Sequence, residues 1–249
     1  MNEKSVKRIH DFLEESFSRI SLGHYVFFGG GCADEAAGFD DDMSYLMDEV
    51  GANSIEYGCT KMVLSFNDIS DYVVKIPFMG YCDENDVCEY YSNDEFKYND
   101  MRRYFFKNVP VSGGWDYCKY EEKLYSIAQK RGCESCFAKT FFIGFLKNKY
   151  PIYLSKKVVC DEDSISSIQS ENKEKLYTIK KMAKDNKVYF ESKNGPDIFE
   201  KMMGQYGKKT MESLIKFIHE YRIQDLHEGN FGIDNDGRIK IIDYSGYMR

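Results

Sequence analysis

Residues 223–249 read IQDLHEGNFGIDNDGRIKIIDYSGYMR, with two polar clusters, DLHEGN and IIDYSG, on either side of a hairpin pattern. Residues 231–243 alternate as FGID-NDG-RIKIID, and the tight-turn pair Asp236-Gly237 predicts two antiparallel strands. The open ends of such a hairpin bring Asn230, just before the first strand, near Asp243, just after the second. One amide oxygen and one carboxylate are hard donors of the kind Mg²⁺ takes while it keeps water and phosphate in the rest of its shell. Asp225 lies five residues before Asn230, on a loop leaving a helix, and is placed to reach the same point. The segment also resembles a calcium loop at a glance. That reading fails because Gly232 falls where the first ligand should be and the flanks read as strands, not helices.

The rest of the chain sets the context for this segment. Its 249 residues suffice for one large domain or two lobes, with 43% hydrophobic and 30% charged residues, as in a folded protein. A net charge of −7 without a Lys/Arg block argues against a nucleic-acid or anionic-membrane surface. The N-terminal MNEKSVKRIHDFLEE lacks the apolar core of a signal peptide, and no apolar run approaches the ~20 residues that span a bilayer. A cytoplasmic location is therefore expected. The eight cysteines (32, 59, 82, 88, 118, 133, 136 and 160) read as reduced thiols, since a chain of this size builds its own core. The one CxxC, Cys133 to Cys136, has no second CxxC and no paired histidine to complete a zinc site.

Val6, Ile9, Leu13, Phe17 and Ile20 give residues 2–21 one apolar helical face. Met43, Leu46, Met47 and Val50 suggest a second helix ending at Gly51, and 29–42, GGGCADEAAGFDDD, lies between. IEYGCTKMVLSF and DYVVKIPF are strand-rich runs separated by the turn-forming NDIS. Residues 78–114, acidic and tyrosine-rich, read as an insertion, partly helical around NDEFKYNDMRRYFF. WDYCKYEEKLYSIAQKRG is a helix closed by Gly132, and FAKTFFIGFLKNKYPIYLSKKVV is two strands around a KNKYP turn. From about residue 161 the spacing is helical: KEKLYTIKKMAKD, PDIFEKMMGQYG and TMESLIKFIHEYRI. Strands followed by helices make an α+β arrangement, divided as a helical extension (1–51), a strand-rich lobe (52–157) and a helical lobe (158–249). The lobes are expected to meet near Lys156–Val158, which makes Lys156 and Val158 candidates for cofactor contact.

The set Asp225, Asn230, hairpin, Asp243 resembles the catalytic loop and metal-binding Asp of the protein-kinase-like superfamily. The intervals of five and thirteen residues match the family's spacing. DLHEGN is closer to the DLHxxN loop of aminoglycoside-phosphotransferase-like and other atypical kinases than to the DLKxxN of protein kinases, and the ensemble resembles small kinase-like proteins encoded by bacteriophages. Ile223-Gln224 replaces the family's His-Arg, and Tyr244-Ser245 replaces its Phe-Gly.

The resemblance implies a two-lobed fold that binds ATP and Mg²⁺ and transfers phosphoryl to a protein or small molecule. Asp225 would be the base, and Asn230 and Asp243 the metal ligands. Lys75 in DYVVKIP stands at the place of the phosphate-binding lysine, and Gly58, seventeen residues before it, at the last glycine of the phosphate loop. Asn53 and Ile55 stand where that loop's earlier glycines belong. Glu121 is favoured over Glu122 as the lysine's partner, because Leu124 and Tyr125 place it at the border of the helix's apolar stripe. With six residues after Asp243, the helical lobe is expected to lack an activation segment and a peptide platform. Two alternatives stay open: a kinase-like binding protein without strong catalysis, and nucleotide transfer by the same fold.

Overall fold

The computed structural model describes residues 2–28, 39–58, 60–82, 88–90, 116–223 and 225–244. Gly29 to Gly31, Cys32, Cys59, Gln224, Ser245 and most of 78–114, including the expected helical stretch, lie outside them. The architecture is mixed α+β, with an antiparallel sheet in the N-terminal region and a largely helical C-terminal region. The chain divides into two compact units, residues 1–120 with 140–156 and residues 121–139 with 157–249.

The first unit opens with α1 (Glu3–Ser16), where the Asn2 side chain accepts from the Ser5 amide and so satisfies a free N–H of the first turn. The helix stops five residues before the predicted end, yet Phe17 and Ile20 stay buried, so the apolar spacing outlives the helix. Then come α2 (Leu22–Tyr25), β1 (Phe27–Phe28) and α3 (Phe39–Val50).

Strands β2 (Ser54–Tyr57), β3 (Lys61–Ser65) and β4 (Tyr72–Pro77) form a meander. IEYGCTKMVLSF is thus two strands, because Gly58 N–H donates to Lys61 O and closes a turn inside the run. Strands β5 (Gly80–Cys82) and β6 (Cys88–Tyr90) join β1 in a small separate sheet. After α4 (Tyr117–Arg131), which begins in this unit, β7 (Thr140–Leu146) and β8 (Tyr150–Lys156) complete the main sheet in the order β2-β3-β4-β8-β7. The β7–β8 turn has positive φ at Lys147 and Asn148, the type I′ signature that matches the strands' twist.

Alternation along these strands separates two faces. Met62, Leu64, Val74, Ile76, Ile152 and Leu154 join Leu13, Phe17, Met43 and Leu46 in one apolar cluster. The residues between them point the other way: Lys61, Ser65, Lys75, Tyr153, Ser155 and Thr140, all buried and all polar or polar-tipped. Asp116 ties the start of α4 to this second face. One carboxylate oxygen accepts from the Lys119 amide at 2.9 Å, and the other accepts from the Tyr153 hydroxyl at 2.6 Å.

The second unit packs the rest of α4, then α5 (Glu162–Ser166), α6 (Lys173–Asp185), α7 (Gly195–Tyr206) and α8 (Lys208–Glu220), around Ile179, Ile198, Phe199, Met202, Leu214 and Ile218. Asn172 caps α6 and Asp161 caps α5, each accepting backbone N–H groups of the first turn. Strands β9 (Phe231–Ile233) and β10 (Ile239–Ile241) form the hairpin. Its loop is the expected NDG, Asn235 to Gly237. Asp234 pairs with Arg238, and Gly237, at φ +74, takes the left-handed position. The Asp234 carboxylate accepts from the Asp236 and Arg238 amides and stabilises that turn.

Among the described residues no helix is long and apolar enough to cross a membrane. Cys118, Cys133 and Cys136 are buried free thiols, and Cys160 is exposed. Burial, with the charge of Glu134 adding to it, pushes the Cys133 thiol up to about 12. Cys136 rises to about 12 as well, through burial and then Cys133. The CxxC pair is therefore disfavoured as thiolate.

Candidate active site

The hairpin is held from three sides within the second unit. Tyr206 of α7 donates its hydroxyl to Ile239 O at 2.7 Å, and the Gln205 amide bonds both Ile239 N and Gly237 O. Val159 exchanges two backbone bonds with Ile233, and the Ala138 amide donates to Ile241 O. Val158 packs onto Gly232, where an added Cβ would lie 2.5 Å from its Cγ2.

This bracing fixes the two ends of the hairpin. Ile242 N–H donates to Asn230 O at 2.9 Å, continuing the strand register by one step beyond Phe231 and Ile241. Asp243 is the next residue and adopts φ +47, a left-handed conformation that Asp tolerates better than most residues. Tyr244 follows, 1% exposed, with its hydroxyl on Ala138 O and its ring 4.7 Å from that of Phe137. Asp243 is thus set between an anchored strand and an anchored ring.

The loop ahead of the hairpin closes on itself. The buried Asn230 side chain donates from Nδ2 to Asp225 O at 2.8 Å. Its nitrogen is used in positioning the loop, which turns the amide oxygen to the acceptor role. The two carboxylates and this amide belong to one continuous loop and hairpin, and Asp225 and Asn230 touch directly.

Sequence reasoning passed over His227, which is also built into the loop. Gly229 N–H donates to its Nδ1 at 3.1 Å, so the neutral ring carries its proton on Nε2, which lies 3.5 Å from Asp225 Oδ1. A Cβ at Gly229 would sit 2.7 Å from Glu162 Oε1 and 2.9 Å from the His227 ring, so those side chains would have to shift to admit one. The Ser192 hydroxyl donates to Glu228 Oε1 and is the main cause holding that carboxyl below its usual range. These braces lie 36 residues from Ser192 to Glu228, a separation that sequence spacing does not reveal.

The remaining predicted residues are distributed between the units. Gly58, Lys75 and Lys156 belong to the first, and Glu121, Asp225, Asn230 and Asp243 to the second. Lys75, 5% exposed, lies on β4 with Val63 and Tyr153 as its register partners. Gly58 is exposed in the β2–β3 turn. Lys156 ends β8 with its ammonium 3.5 Å from Asp71 and over the Tyr72 ring. On α4, Glu121 is 0% exposed, and Glu122 is half-buried.

Among the described residues no three His, Cys, Asp or Glu side chains converge as a metal cage. A two-oxygen Mg²⁺ site needs no such cage, because that ion keeps several waters and binds substrate phosphates. The donor set of Asn230 and Asp243 fits it chemically. Set against known protein families, characterised proteins and solved structures, the chain matches none.

Proposed function

We propose that this protein is a phosphotransferase of the protein-kinase-like superfamily, dependent on ATP and Mg²⁺, acting on a hydroxyl of a protein or small molecule. The observation that carries the reading is the Asn230 side chain bonded to Asp225 O while its backbone pairs with Ile242. That double tie holds the Asp225–Asn230 loop to the braced end of the hairpin, with Asp243 the next residue after Ile242.

Two further placements support it. Protein kinases carry the phosphate-binding lysine on the third strand and its glutamate on helix αC. Lys75 lies on β4, the third of the five main-sheet strands in chain order, and Glu121 on α4, the helix between the third and fourth. Both are charged side chains almost fully withdrawn from water.

In the reaction, Asp225 accepts the proton of the acceptor hydroxyl as its oxygen bonds to the γ-phosphorus. The bond from that phosphorus to the bridging oxygen breaks, and ADP leaves with the electron pair. Asn230 and Asp243 would hold Mg²⁺, which neutralises charge on the β- and γ-phosphates when bound. Lys75 holds the α- and β-phosphates, and His227 Nε2–H keeps the Asp225 carboxylate turned to its task.

Incubation with ATP labelled at the γ- or the α-phosphate, with wild type and Asp225→Asn, tests this. Release or transfer of γ-label alone is expected, reduced about 10²–10⁴-fold in the variant, the usual contribution of a general base. Transfer of α-label would mean nucleotide transfer instead. A protein that binds ATP but turns over neither label would be the kinase-like binding protein, the reading that Asn53 and Ile55 in place of loop glycines favours.

A further inference from the structure

The net charge of −7 conceals a local separation of sign on α6. Lys173, Tyr177, Lys180 and Lys184 follow one another at intervals of four, three and four residues, the spacing that lines side chains along one face of a helix. All four are exposed, and Tyr177, in the middle of the row, leaves 70% of its surface in water. The helix's acids, Glu174 and Asp185, lie about a quarter turn round from this row, where Asp185 accepts from Lys181 at 2.7 Å. Among the described residues Lys173, Lys180 and Lys184 take part in no ion pair. The helix is held through Ile179 and Ala183, buried in the second unit's core, with Met182 packed against it. The lysine row faces water instead. Just past the helix end Lys187 is exposed, and Tyr189 is 79% exposed.

We propose that this face of α6 is a docking surface for single-stranded nucleic acid, with the lysines on phosphates and Tyr177 under a base. From Lys173 to Lys184 the row is about 16 Å long, room for about five nucleotides at the stacked rise of about 3.4 Å. Unpaired bases offer the ring faces that an exposed aromatic side chain takes, and lysines track the backbone without reading sequence. The surface is independent of the phosphotransferase reading and uses none of that site's residues.

Two other anionic partners fit the row less well. A membrane surface calls for a helix whose apolar side is open to enter the headgroup layer, and on α6 that side lies in the core. A phosphorylated peptide is taken by arginine forks, and the row contains no arginine.

Fluorescence anisotropy of a labelled oligouridylate of about 10 nucleotides, within the site sizes of single-strand binders, tests the proposal. The proteins are wild type, Lys180→Gln/Lys184→Gln, Tyr177→Ala and Tyr177→Phe. All three positions are exposed, so each variant should melt with wild type, and a melting curve checks this. With three lysine–phosphate contacts, wild-type log affinity should fall against log salt with a slope of about −2, or about twentyfold from 50 to 200 mM. The double lysine variant should bind more weakly at low salt, with a slope of about −0.7. Tyr177→Ala should lose about tenfold at every salt concentration, and Tyr177→Phe should bind as wild type does. Oligothymidylate should bind equally, since neither contact uses the 2′-hydroxyl, and a duplex more weakly, since its bases are closed to the ring. Wild type that does not bind at low salt, or variants that bind as wild type does, would overturn the proposal. So would a duplex bound as tightly as the single strand. Binding to phosphatidylserine-containing vesicles with none to the oligonucleotides would make the face a membrane contact instead.

Discussion

The two faces of the five-stranded sheet come from the same strands, one residue apart, and they answer to different demands. On one face Leu64, Val74, Ile76 and Leu154 are withdrawn from water against α1 and α3, where burial itself is the driving force. On the other, Lys61, Lys75, Tyr153 and Ser155 are withdrawn just as completely, yet their burial opposes folding unless each polar atom is satisfied. On this face the Tyr153 hydroxyl is satisfied by Asp116 and the Thr140 hydroxyl by Ser155.

Substitutions at adjacent positions can break or sharpen that contrast. Ile76→Ala should cost about 2–5 kcal/mol of stability, as a buried large-to-small change does, and chemical denaturation will measure it. A cost near zero would dissolve the distinction between the faces. Tyr153→Phe should be smaller, about 1.5–3 kcal/mol, since it removes the hydroxyl that donates to the buried Asp116 carboxylate at 2.6 Å. Because Asp116 also caps α4, the same variant should weaken amide-exchange protection at Lys119 and Tyr120 in the helix's first turn.

The smallest effect lies on the hairpin of the second unit, where a charge is purely structural. Burial pushes the Asp234 carboxyl up, but the Arg238 amide and then Lys240 outweigh it and hold the group below its ordinary 3.8. Its contribution to stability is therefore complete above the ordinary value and is lost as pH falls through the lower folded value. In an acid titration the gap between wild type and Asp234→Asn should be constant at neutral pH and close only in strong acid. A gap closing near pH 6 would point to another group.

Much of the helical pattern was legible, because a 3.6-residue apolar period survives in sequence. KEKLYTIKKMAKD forms α6 as spaced, and TMESLIKFIHEYRI contains most of α8. What escaped depends on contacts that no period encodes. The division of residues 55–66 into two strands turns on one bond, Gly58 N–H to Lys61 O. The Asp234 carboxylate's hold on the Asp236 and Arg238 amides in the hairpin turn is another such contact. The candidate site was legible as spacing, with Asp225, Asn230 and Asp243 in one segment, but the contacts around it were not. His227 differs from any loop histidine only through Gly229 N–H on Nδ1, and Ser192 reaches Glu228 from a distant segment.

The central claim is that Asn230 and Asp243 form a nucleotide–metal site. Calorimetric titration of ATP with and without Mg²⁺, on wild type and Asp243→Ala, tests it most directly. The account predicts binding that requires Mg²⁺ and disappears in the variant. Absence of binding by the wild type, or binding of equal strength without Mg²⁺ and in Asp243→Ala, would contradict it.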